Sequence, residues 1–233
     1  MHRSRDGGRT FRTVSEPNYP SARWMHVDVR SMMVFGRSGN DILVAGHDGG
    51  VSISYNGGDS WRDVSGKGLA ITQFWRIAYD PARKRTYGGT QDLGLLMLQD
   101  GTWENMKIYG DVYDGLVYPP APDTLVMLIN SGAPGMRRST DGGRNWKFVQ
   151  QPFTLARNDR PLAMDRQDPE RIFVGYQDIH VSGDFGETWS RLTRFAETQR
   201  IHTNDRLAAI AVAPSDGNIM YAASRIALDA GGE

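Results

Sequence analysis

Ser139-Thr-Asp-Gly-Gly-Arg-Asn-Trp146 has three near-copies in this chain: Ser4-Arg-Asp-Gly-Gly-Arg-Thr-Phe11, Ser54-Tyr-Asn-Gly-Gly-Asp-Ser-Trp61 and Ser182-Gly-Asp-Phe-Gly-Glu-Thr-Trp189. A shortened copy, Leu98-Gln-Asp-Gly-Thr-Trp103, falls in the one double-length gap, and a remnant, Leu228-Asp-Ala-Gly-Gly-Glu233, follows the last. A period of roughly 42–50 residues is the length of a four-stranded propeller blade. The phrase has a mechanical reading. Gly8, Gly58, Gly143 and Gly186 stand where a tight turn needs positive φ. Asp6, Asn56, Asp141 and Asp184 can hydrogen-bond their own backbone two residues on, and Ser4, Ser54, Ser139 and Ser182 can join that local network. Phe11, Trp61, Trp103, Trp146 and Trp189 are expected to open the next strand and pack beneath the turn. The recurring Asp residues read as hairpin staples, not catalytic groups.

One strand grammar repeats between the phrases. Strand A is expected at Met25–Val34, Phe74–Tyr79, Gly115–Tyr118, Pro161–Asp165 and Leu207–Val212. Strand B is expected at Ile42–Gly46, Arg85–Gly89, Thr124–Ile129, Arg171–Tyr176 and Ile219–Ala223. Strand C leads into the phrase, as Val51–Ser54 and Met136–Ser139 show, and strand D starts at its aromatic. Short β-branched and aromatic runs with regular turn signals predict an all-β chain, and no amphipathic helix of three turns is expected. The expected fold is a single β-propeller domain over 1–233, of about five four-stranded antiparallel blades. The blade units are 15–65, 66–109, 110–150, 151–195 and 196–233, the last completed by strand 1–14, with a fragment of a larger propeller as the alternative.

Lys plus Arg and Asp plus Glu both number 27, so the net charge is zero and the basic excess of a nucleic-acid binder is missing. There is no Cys, which excludes disulfides and thiolate metal sites. No apolar run reaches membrane-spanning length, and the N-terminus shows no signal-peptide apolar stretch.

A quieter pattern recurs at the B–C turns: Gly46-His-Asp48, Gly89-Thr-Gln-Asp92, Ile129-Asn-Ser131, Gly175-Tyr-Gln-Asp178 and Ala223-Ser-Arg225. His47, Asp48, Gln91, Asp92, Gln177, Asp178 and Arg225 are therefore candidate ligand-binding residues at one end of the blades, where loops on a rigid scaffold gather function. Good turn-making by Asp and Asn explains the same pattern without a ligand. The D–A connections share this end: Glu16–Trp24, Gln150–Arg160, Ala196–Arg206 with His202, Asn204 and Asp205, and Tyr109–Gly115, which adds Asp111 and Tyr113. Rings beside carboxylates suit sugar faces and protein interfaces alike. A cation such as calcium at Asp48, Asp92 and Asp178 is a further expectation of hard-cation chemistry; no other cofactor or metal is expected. Motifs of metallopeptidases, serine hydrolases and P-loop enzymes are missing.

The phrases resemble Asp-boxes, also called BNR repeats, and the chain is similar to Asp-box β-propellers over nearly all its length. Ile42–Trp61, with Gln73–Pro81 and Tyr87–Asp92, looks like the bacterial glycosyl-hydrolase-type proteins of the sortilin kind. Xyloglucanases and sialidases share the repeat. Those relatives often write His-Val-Asp-His-His where this chain has His26-Val-Asp-Val-Arg30, and Gln-Asp-Asn-Gly where it has Gln91-Asp-Leu-Gly94. The resemblance to xyloglucanases implies Asp48 as a candidate catalytic acid or base, with Asp111 as a possible partner, since glycosidases work with two carboxyl groups. It also implies an extracellular or periplasmic setting. Xyloglucanases place their pair between two propellers, and one chain of this length supplies one. The expected function is thus a non-catalytic propeller that binds a protein or glycan partner through its B–C and D–A loops. A glycoside hydrolase, or part of one, is the alternative. The Asp-box marks a fold more sharply than a chemistry.

Overall fold

The computed structural model describes residues 1–16, 21–26, 28–36, 41–65, 72–130, 135–150, 160–198 and 206–225. The remnant 228–233, residue 131 of the third B–C turn and parts of three connections (17–20, 151–159 and 199–205) lie outside them. The chain divides into two compact units, Met1–Gln73 and Phe74–Glu233.

The first unit opens with a two-stranded sheet, β1 (His2–Arg3) and β2 (Arg12–Thr13). A four-stranded antiparallel sheet follows in simple order: β3 (Val29–Phe35), β4 (Ile42–His47), β5 (Gly50–Ser54) and β6 (Arg62–Asp63). The second unit repeats this up-and-down sheet three times. Its strands are β7 (Phe74–Asp80), β8 (Arg85–Thr90), β9 (Leu95–Gln99) and β10 (Thr102–Asn105); then β11 (Asp111–Val117), β12 (Leu125–Asn130), β13 (Gly135–Ser139) and β14 (Lys147–Val149); then β15 (Leu162–Met164), β16 (Ile172–Gly175), β17 (Ile179–Ser182) and β18 (Ser190–Arg191). One helical turn, α1 (Phe195–Thr198), precedes a last pair, β19 (Arg206–Ala213) and β20 (Asp216–Arg225).

Two of the second strands, β12 and β16, read as apolar runs because both sheet faces are buried. Successive side chains of a strand point to opposite faces. Leu125, Met127 and Ile129 join Tyr87, Leu95, Met97 and Val112 on one side. Val126 and Leu128 join Met136, Leu162, Ile172, Val174 and Phe185 on the other. Phe173 and Ile179 continue the stack toward Leu207, Ile210 and Met220. Each such side chain contributes about 1.5–3 kcal/mol by leaving water.

The recurring phrase folds as its residues dictate. Gly58 N–H donates to Ser54 Oγ (2.8 Å), Ser54 Oγ–H donates to Asn56 Oδ1 (2.9 Å), and Ser60 N–H donates to Asn56 Oδ1 (2.8 Å). The phrases at Ser4, Ser139 and Ser182 repeat the set. Both turn positions are left-handed, as at Gly142 (φ 73) and Gly143 (φ 85); Phe185 holds φ 49 without being glycine. Ser182 is buried at 1% exposure. Ser182→Ala would strand the Gly186 N–H and is expected to cost about 1–3 kcal/mol in a denaturant titration. A loss under a few tenths would show that the hydroxyl is not a staple.

The phrase carboxylates titrate low. Asp141 is held at about 2, chiefly by the Asn145 backbone N–H and then its side chain, and Asp6 at about 2, chiefly by the Thr10 hydroxyl. A folded pKa below the unfolded one stabilises fully above the unfolded value and is lost as pH falls through the folded one. The melting-temperature gap between wild type and Asp141→Asn is therefore expected to close as pH falls from about 4 to about 2. A gap independent of pH would contradict this.

Three expectations are corrected. The first strand A begins at Val29, not Met25; Met25 is buried ahead of it, after Glu16 bridges Trp24. The third begins at Asp111, because Asp111 and Val112 pair Asn130 and Ile129. Trp103 and Phe11 are 44% and 65% exposed and do not pack beneath their turns. Phe11 stands just ahead of β2, in a sheet of two strands, and Trp103 lies against Phe74 (5.3 Å between centroids). The shortened phrase is a two-residue hairpin, Asp100 (φ 51) and Gly101 (φ 79), the primed turn that suits strand twist.

Candidate ligand platform at the turn end of the sheets

The inner strands share a defect that alternation cannot announce. A bulge falls at Arg30 in β3, at Trp75 in β7, at Tyr113 in β11 and at Ala208 in β19. A bulge leaves one residue unpaired and re-aims its side chain. Each lies opposite the end of the second strand, beside the turn into the third.

In the second unit two of these bulges come together. The rings of Trp75 and Tyr113 lie 5.3 Å apart at 47°. Trp75 is 41% exposed. Tyr113 Oη–H donates to Asp111 Oδ2 (3.0 Å), and Asp92 N–H donates to Asp111 Oδ1 (3.0 Å). Asp92 sits at φ 66, at the top of the turn Gln91–Gly94. That turn is clamped below: Thr90 Oγ1–H and Thr90 N–H both donate to the Gly94 carbonyl (2.7 and 3.1 Å), and Asn105 Nδ2 donates to Leu93 O (2.9 Å). The exposed Trp75 ring thus lies against Tyr113, whose hydroxyl is fixed on the braced Asp111 carboxylate, and half-buried Gln91 belongs to the Asp92 turn.

Of the expected site residues, Asp92, Asp111 and Tyr113 meet here. Trp75 was not among them. Its only signal in sequence is the failure of Phe74-Trp-Arg-Ile-Ala-Tyr79 to alternate cleanly. Asp114, also unselected, is the carboxyl pushed upward; burial is the chief cause, against hydrogen bonds from the Leu162 and Gly115 N–H groups. Those bonds tie it to the neighbouring strand β15.

The other expected residues are engaged elsewhere. In the first unit Arg30 Nε and Nη2 grip both oxygens of Asp48 (2.7 and 2.6 Å), and the guanidinium's hydrogen bonds hold that carboxyl below its ordinary value. His47 is buried, shares a hydrogen bond with Ser52 Oγ (2.9 Å) and stacks on His26 at 5.5 Å; desolvation lowers its pKa. In the third sheet of the second unit Asp178 is buried. It accepts from Arg191 Nε (2.9 Å), Thr193 Oγ1 (3.2 Å) and Phe195 N (2.6 Å), and so fastens the connection that carries α1. Gln177 beside it is exposed, and Arg225 ends β20. Arginine on Asp48 and on Asp178 neutralises two of the three carboxylates expected to ring a cation.

No protein-family model matches the chain, and no curated protein matches it. Solved structures do. An ancestral GH74 enzyme superposes with a TM-score of 0.52 at 17% identity, covering 84% of this chain and 27% of its own. The GH74 enzyme of Niastella koreensis gives 0.41 at 15%, covering 83% and 43%. YCF48 bound to D1 peptide gives 0.43 at 16%, covering 88% and 63%. The chain therefore spans about a quarter of the first of these proteins and less than two thirds of the others. At such identities the first likeness speaks to fold alone. Together with the repeated sheets it makes this an all-β chain of four-stranded antiparallel blades, a β-propeller fold.

Proposed function

We propose that the chain is a non-catalytic binding module of the Asp-box β-propeller type, which takes a glycan on the Trp75–Tyr113 platform. The observation that carries this reading is the exposed Trp75 ring lying against half-buried Tyr113, which is braced by the Tyr113–Asp111–Asp92 hydrogen bonds. The C–H-rich face of a sugar packs on a ring, and a few fixed polar groups orient its hydroxyls. Asp111 accepts through both oxygens, so it is held in place before a ligand arrives. The phrase hydrogen bonds support the Asp-box assignment.

The hydrolase alternative asks for a carboxyl kept protonated near neutral pH. Asp48, gripped by Arg30, is driven the other way. Asp114 is raised but enclosed by backbone donors. Titration calorimetry with β-linked oligosaccharides, against extended peptides as the rival ligand, tests the reading. Saturable glycan binding with no release of reducing ends is the expected result. Peptide binding alone, or hydrolysis abolished by Asp48→Asn, would overturn it.

A further inference from the structure

Position 56 sets the second phrase apart. Where the other full copies carry Asp6, Asp141 and Asp184, it carries Asn56, followed by Gly57, and this is the only Asn-Gly pair in the chain. Such a pair is open to deamidation, because glycine puts no side chain in the way of its own nitrogen. The Gly57 nitrogen gives up its proton and attacks Asn56 Cγ. The new N–Cγ bond closes a succinimide ring as the Cγ–Nδ2 bond breaks, and the amide nitrogen takes a proton and leaves as ammonia. Water then opens the ring at one of its two carbonyls. One opening leaves aspartate. The other leaves isoaspartate, with the main chain routed through the former side chain.

Asn56 is exposed, so water and base reach it, but the folded phrase obstructs the ring closure. Gly57 N–H donates to the Asp41 carbonyl (3.0 Å), and the Gly57 carbonyl accepts from Arg3 Nη1. The attacking peptide is therefore gripped on both sides. Asn56 Oδ1 accepts from Ser54 Oγ (2.9 Å) and Ser60 N (2.8 Å), while Nδ2 donates to Ser60 Oγ (2.9 Å). The ring can close only after the side chain leaves these partners and the Gly57 N–H is released, which is a local opening of the phrase.

A carboxylate suits the same place. Thr10 and Thr188 stand where Ser60 does, and each donates its hydroxyl to the phrase aspartate, Asp6 or Asp184 (2.5 Å). Asn145 Nδ2 does the same for Asp141 (2.7 Å). The Ser60 hydroxyl accepts from Asn56 Nδ2, and a rotation of its O–H would let it donate to a carboxylate instead. Hydrogen bonds to an ionised acceptor are roughly twice as strong as neutral ones. Accordingly Asp6 and Asp141 are both held at about 2, chiefly by the Thr10 hydroxyl and the Asn145 N–H. The neighbouring carboxylate, Asp59, is already paired with Arg3 (3.1 Å) and Arg12 (2.6 Å). Isoaspartate has no such fit. Its extra main-chain carbon would carry the Gly58 N–H away from Ser54 Oγ, which it meets at 2.8 Å.

We infer that Asn56 is a deamidation site, held shut by the folded phrase, whose aspartate product the phrase accepts and whose isoaspartate product it does not. This rests on the phrase geometry and is independent of the glycan platform. Peptide mapping by mass spectrometry follows position 56 in the native chain and in urea at the same mildly alkaline pH. Modification in urea, slowed at least about tenfold in the native chain, is expected. Equal rates, or no reaction in urea, would overturn the inference. Asn56→Asp supplies the accepted product directly. It is expected to melt no lower than the unaltered chain at neutral pH, with any gain fading as pH falls from about 4 to about 2. Lower melting at neutral pH, or failure to fold, would overturn it. The isoaspartyl chain, separated after refolding from urea, is expected to melt below Asn56→Asp. Equal melting of the two would show that the phrase does not discriminate between them.

Discussion

Gly94→Ala is expected to cost about 3–5 kcal/mol, the largest loss of any single methyl group discussed for this chain. Gly94 holds φ 87, which a side-chain-bearing residue enters only with strain. A Cβ there would also run into the Ile108 carbonyl. That carbonyl is backbone and already accepts the Leu95 N–H (3.0 Å), so it has no rotamer to yield. Against a typical stability of about 5–15 kcal/mol such a loss is a large share of the total, and at the low end of that range it leaves a sizeable fraction unfolded. Gly101→Ala is the control. It has a similar φ of 79 but open space around the new methyl, and about 1 kcal/mol is expected. Urea titration of both variants checks this. Equal losses would show that the carbonyl contact does not matter.

Trp75→Ala carries the largest expected effect on binding. Removing the exposed half of the aromatic pair is expected to weaken glycan binding by roughly 10- to 100-fold, which is about 1.4–2.8 kcal/mol. Stability should hardly move, since the ring is 41% exposed and its strand pairs on either side of the bulge. Tyr113→Phe keeps the ring and removes the hydroxyl that braces Asp111, so a smaller loss is expected. Calorimetry gives both affinities. Unchanged affinity in Trp75→Ala with the fold intact would remove the platform from the account.

The repeat made the sheets legible because its physics is local. A Ser, an Asp and two left-handed positions close a hairpin whatever surrounds them, and the aromatic marks the next strand. The second strands β12 and β16 were legible as apolar runs, since two buried faces leave no polar alternation to find. Inner strands were harder. The bulges at Trp75 and Tyr113 break the period of two, so Asp111 and Tyr113 read as loop when they belong to β11. The turn carboxylates illustrate a second limit. Asp48, Asp92 and Asp178 look alike in sequence, yet Asp48 is taken by Arg30 and Asp178 by Arg191, while Asp92 donates its backbone to Asp111. The partner across the fold, not the turn, decides what each carboxylate does, and those arginines lie 18 and 13 residues away.

The platform is tested most directly by nuclear magnetic resonance of the labelled chain during titration with a β-linked oligosaccharide. The account predicts that the Trp75 indole N–H and the amides of Asp92 and Asp111–Asp114 shift together along one saturating curve. Saturation with those signals still and another surface moving would contradict it.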